Sequence, residues 1–204
     1  MLAARMTKGR LEAFSDGVVA IIITIMVLEL KVPRSGELEA LRPLLPTFLT
    51  YALSFVFVGI YWNNHHHLLH ATTRIDGGVL WANLHLLFWL SLTPFVMGWM
   101  GENHYAPLPV AVYGVVLLMS AIAYYILVRA IVRAEGPSSK VAAAVGNDFK
   151  GKISAVLYAA AIPLAFVQCW IALGIYMLVA AMWLVPDRRM VAGTRAPESP
   201  TSRA

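Results

Sequence analysis

Charge is scarce in this chain: 13% of its 204 residues are Asp, Glu, Lys or Arg, while 59% are apolar. A water-soluble domain carries about 25% charged and about 45–50% apolar residues, so a soluble single-core enzyme is excluded. Cysteine is scarcer still. Cys169 stands alone in an apolar run, which rules out a disulfide scaffold and makes it a small hydrophobe. No phosphate loop, cofactor fingerprint, nucleophile–base pair, internal repeat or Thr-Val-Gly-Tyr-Gly filter occurs anywhere.

The charges that are present fall in clusters. Arg42 and Arg74 bracket 31 residues without an acid, lysine or arginine; Asp76 and Glu102 bracket 25. Glu102 and Arg129 bracket 26, and Lys152 and Asp187 bracket 34. A hydrocarbon core of about 30 Å asks for about 20 such residues in a helix. The chain therefore reads as an all-α membrane protein of six transmembrane helices, with five as the fallback. The spacing predicts helices over 11–31, 44–67, 78–100 and 108–132. The stretch 153–186 would be about 50 Å long as one helix, so it divides into two near Gln168-Cys169-Trp170. Residues 1–186 form the membrane domain, and 187–204 have the composition of a disordered tail.

Six crossings place both termini on one side. That side collects 13 of the 16 basic residues, leaving Lys31, Arg34 and Arg42 opposite. Basic residues accumulate on the cytoplasmic face, so both ends are expected in the cytoplasm. The net charge of +5 then follows from topology and requires no nucleic acid. A cleaved signal peptide is disfavoured by Glu12 and Asp16 ahead of the apolar core.

Polar groups inside the spans are the natural functional candidates. Asp16 is either a helix N-cap or a carboxylate one or two turns inside a helix, where it needs a partner. Arg10, a histidine from another helix or backbone donors would serve, and His85 suits the bond. His65, His66, His67 and His70 follow Trp62; the pairs 66/70 and 67/70 share a helix face, as zinc ligands do. No acidic or cysteine partner completes that set, and an interfacial helix end accommodates it equally. On a helical wheel Ala13, Gly17, Ala20, Ile21, Thr24, Leu28 and Lys31 share one face of the first helix. Small residues there allow close helix packing. Repeated around an axis, the same face would form a pore with an apolar constriction that gates by dewetting.

Arg10-x-x-x-Phe14-Ser15-Asp16 followed by Gly-Val-Val-Ala-Ile-Ile-Ile-Thr resembles the signature of the transmembrane protein 175 family. These are the endosomal and lysosomal potassium channels and their prokaryotic relatives. Trp62 with its histidines, and Leu-Ser-Leu-Thr-Pro94-Phe95, extend the resemblance. It implies that the first helix lines the pore of a homotetramer. Five and twelve residues beyond the motif aspartate, Ile21 and Leu28 would form the constriction, with Thr24 or Ile25 between them. Arg10, Phe14, Ser15 and Asp16 would be structural, with His65, His66 and His85 as possible partners. The expectation is a passive, potassium-permeable cation channel of the inner membrane, not an enzyme, surrounded by lipid and without cofactor or metal. A histidine metalloprotein or enzyme, or a proton-permeable pore, is the alternative.

Overall fold

The structure, a computed structural model, describes residues 7–136, 139–145 and 149–184. The expected tail, 187–204, lies outside them. Within the described residues every regular element is helical: α1 (Lys8–Leu28), a 3-10 turn (Leu38–Leu44), α2 (Leu45–Ala71), α3 (Gly77–Ser91), α4 (Thr93–Glu102), α5 (Pro107–Glu135), α6 (Lys140–Val145), α7 (Phe149–Val167) and α8 (Cys169–Leu184). Five stretches are long and apolar enough to cross a membrane: Lys8–Leu28, Leu38–Ala71, Gly77–Glu102, Pro107–Glu135 and Phe149–Val167. Cys169–Leu184 is apolar but has 16 residues. The division at Gln168 stands where the length of the uncharged stretch requires it.

The chain ends its helices where backbone chemistry demands. Pro33 disfavours helical conformation at Val32, and α1 gives way to a tight turn in which Leu30 N–H donates to Val27 C=O. Asp76 caps α3, its carboxylate accepting from Val79 N–H at 2.9 Å. The span expected over 78–100 breaks at Leu92, because Pro94 has no N–H to donate back along the helix. There Leu92 N–H reaches Trp89 C=O at 3.3 Å, and the Ser91 hydroxyl takes Phe88 C=O. Gly136, at φ +98°, stops α5 in a conformation that suits glycine. Just before it, the Glu135 carboxylate accepts from the Thr73 and Arg74 N–H groups and fastens the α2–α3 connection.

Helix α5 is the hub, packing against α3, α4, α7 and α8. Apolar burial is no driving force between helices in lipid, so close contact and interhelical hydrogen bonds hold them together. Ala161, Ala165, Ala172 and Ala180 are buried and bring α7 and α8 close. Tyr113 and Tyr176 are buried as a tilted aromatic pair. The Tyr113 and Ser54 hydroxyls lie 2.9 Å apart, and Tyr176 donates to Val110 C=O. Among the described residues no buried side-chain nitrogen or oxygen lacks a hydrogen bond. Helix α1 lies against α2, α3 and α4, on one side of this bundle.

Candidate pore face and motif cluster

Helix α1 has two unlike faces. Leu11, Ser15, Val19, Ile22 and Met26 recur at helical spacing and are buried against the bundle. Ala13, Gly17, Ala20, Ile21, Thr24 and Leu28 are all exposed. Ile21 is 58% exposed, Leu28 76% and Ile25 42%, and with Phe14 and Val27 five large apolar side chains stand uncovered along this helix. The Thr24 hydroxyl donates to Ile21 C=O at 2.9 Å. Its hydrogen is thus turned back on the helix, and its oxygen lone pairs remain available to an outside group.

Beside this face an open groove of about 630 Å³ runs between α1 and α4. Ile21, Ile25 and Glu29 form one wall, Pro94, Phe95 and Trp99 the other. Glu29 lies so close to Gly98 that a Cβ there would come within 2.6 Å of its Oε2. Lys31 and Glu102 form an ion pair at the same end. The Glu102 carboxylate, by hydrogen bond and charge, holds the Lys31 ammonium above the ordinary lysine range.

At the other end of α1 the motif residues separate into two groups. Ser15 is fully buried: its hydroxyl donates to Leu11 C=O at 2.8 Å and accepts from Asn83 Nδ2 at 3.0 Å. Asn83 Oδ1 in turn lies 2.7 Å from His65 Nε2, and both side chains are buried. This chain of polar groups ties α1 to α3 and α2. Asp16 is exposed and accepts from the Trp62 indole N–H at 3.0 Å. Trp62 stacks on His66, which stacks on His70, and the Lys8 ammonium donates to His70 C=O.

Several pairings differ from expectation. Asp16 takes neither Arg10 nor His85; His85 Nε2 instead accepts from Trp89 one turn along α3. Arg10 is exposed and forms no ion pair among the described residues, and Phe14 is 51% exposed. His65 does join the motif, through Ser15. Asn83 is the link that sequence reasoning missed, although it is the one amide in the uncharged stretch between Asp76 and Glu102. The stacked histidines bring in no acid or cysteine: among the described residues no group of three or more His, Cys, Asp or Glu side chains could hold a metal.

The chain is similar over most of its length to known channels. Residues 10–94 match the family model described as endosomal/lysosomal potassium channel TMEM175. Potassium channel HX13_20290 of Chryseobacterium sp. (strain P1-3) is 57% identical over 91% of this chain and 96% of its own. The crystal structure of a lysosomal potassium-selective channel TMEM175 homolog from Chamaesiphon minutus superposes with TM-score 0.76 at 28% identity, covering 92% of this chain and 98% of that one. The endosomal/lysosomal proton channel TMEM175 of Gallus gallus is 39% identical over 85 residues, 36% of this chain and 17% of that protein. With its helical architecture of several apolar spans, its motif and its likeness to potassium channels over nine-tenths of its length, the chain belongs to the TMEM175 channel family.

Proposed function

We propose that four copies of this chain form a passive potassium-permeable channel whose pore is lined by α1. The observation that carries the reading is the asymmetry of α1: one face is buried, while Ile21, Thr24 and Leu28 are left uncovered on the other. Cyclic symmetry repeats one face around an axis, so Ile21 and Leu28 would each form an apolar ring. Narrow apolar rings resist wetting and limit ion flow. Between them the Thr24 oxygen, with its own hydrogen engaged on Ile21 C=O, offers lone pairs to a dehydrating cation. Ile25 supports the wall beside it. The potassium-channel relatives support potassium as the permeant ion.

In this reading the motif is structural. Ser15 holds the buried side of α1 through Asn83 and His65, while Asp16 steadies its cytoplasmic end through Trp62. Phe14 and Arg10, exposed in one protomer, lie where a neighbouring copy or lipid would meet them. Both termini lie in the cytoplasm, the protein sits in the cell membrane, 1–186 form the channel domain and 187–204 a tail. Conduction is passive and uses neither cofactor nor catalytic step. Reversal potentials of the reconstituted protein under opposed potassium and sodium gradients test the assignment. A shift toward the potassium equilibrium potential is expected; a potential that follows neither cation overturns it. Permeation by protons is the second reading, favoured by the vertebrate relatives named proton channels. A current that follows an imposed pH gradient in the absence of potassium and sodium would select it.

A further inference from the structure

Away from α1, the bundle contains a cavity of about 250 Å³ at the end where α2 and α5 finish and α7 begins. Its walls are aromatic: Phe57 and Tyr61 from α2, Tyr124 and Tyr125 from α5, Tyr158 from α7 and Trp183 from α8. Several polar atoms in those walls are turned on one another or on the backbone. Trp183 Nε1 donates to Ser154 Oγ at 2.9 Å, Ser154 donates to Lys150 C=O, and Tyr124 donates to Asn64 C=O at 3.2 Å. What faces the space is mostly hydrocarbon and ring surface, which suits an acyl chain. The cavity opens past Ile122 and Tyr125, both exposed on the outer side of α5. For a multi-pass membrane protein, the medium outside that opening is lipid.

The rim has the opposite character. Lys152 belongs to the lining, which contains no acidic residue among the described residues. The sequence from Arg129 to Lys152 holds five basic residues against Glu135 and Asp148. Basic pockets between transmembrane helices take anionic lipid headgroups, and charge near the surface strengthens the attraction. We propose that this cavity binds one acyl chain of an anionic phospholipid, whose headgroup is held at the Lys152 rim. The site is independent of the conduction path, because α1 contributes nothing to its lining.

The test uses the full chain in nanodiscs containing phosphatidylglycerol or phosphatidylcholine probes that carry the same diazirine-labelled acyl chain. Photolabelled residues are then mapped by mass spectrometry. The glycerol probe should label the α5 and α7 walls at least threefold more than the choline probe. Lys152→Gln should lower the glycerol probe to the choline level, and Ala121→Phe, which fills the cavity, should reduce both several-fold. If Ala121→Phe does not elute as the native species on size exclusion, Ala155→Leu narrows the same space. Equal wild-type labelling by the two probes overturns the proposal, as does a headgroup preference that survives Lys152→Gln.

Discussion

Asn83 shows how much one amide can fix inside a membrane bundle. It donates to Ser15 on α1 and bonds His65 on α2, so three helices meet through a single side chain. Replacing it with Leu keeps the branching, at larger volume, and leaves the Ser15 oxygen and the His65 nitrogen without their partner. An unsatisfied buried group costs about 1–3 kcal/mol, and hydrogen bonds between membrane helices are worth about 0.6–2 kcal/mol. Asn83→Leu should therefore lower the melting temperature of the purified protein by several degrees. Asp16→Ala removes one exposed bond to Trp62 and should cost less, about 0.5–1.5 kcal/mol. An Asp16→Ala variant less stable than Asn83→Leu would reverse this ranking. On the uncovered face, Ile21→Asn should ease wetting of the proposed Ile21 ring and raise single-channel conductance in planar bilayers. Unchanged conductance would remove Ile21 from the constriction.

Among the elements, the second to fourth spans and the division at Gln168 were legible from charge spacing, because a bilayer fixes the length an uncharged helix needs, whereas the first carries Glu12 and Asp16 within it. The break at Leu92 was less so. Pro94 was visible in the sequence, but proline in a membrane helix often survives as a kink, and only the surrounding packing decides. The exposed stripe on α1 was readable because helical periodicity separates Ile21 and Leu28 from Val19 and Met26. The motif's pairings were not, since periodicity says which face a residue occupies and nothing about which helix comes next to it. Hence the sequence offers Asp16 a capping role or Arg10, a histidine or backbone donors as partners, while Trp62 holds it. Close approach is equally invisible beforehand. At Gly114 a Cβ would fall 2.0 Å from the Tyr176 hydroxyl, whereas at Gly59 it would meet nothing within 4 Å. Gly114→Ala should therefore separate α5 from α8 and destabilise by about 1–3 kcal/mol. Gly59→Ala should leave thermal stability within about 0.5 kcal/mol of wild type, which a melting curve of each variant checks.

At the scale of the whole molecule, a single protomer leaves α1 half covered, and one helix cannot enclose an aqueous path. Four copies around an axis would leave room for an ion between their Ile21 and Leu28 side chains. Two copies packed through Gly17 and Ala20 would not. Leu28→Cys in a Cys169→Ser background should give an oxidative crosslink within the complex, with tetramer mass by light scattering or native mass spectrometry. A complex of dimer mass would exclude this geometry. The most direct test of the account is potassium current through reconstituted Leu28→Cys, Cys169→Ser protein before and after a cationic thiol reagent. If Leu28 lines the conducting path, the attached charge should suppress the current about tenfold or more, by electrostatic blockade of a narrow pore. A potassium current unaffected by complete modification of Leu28→Cys would contradict the claim that α1 lines the pore.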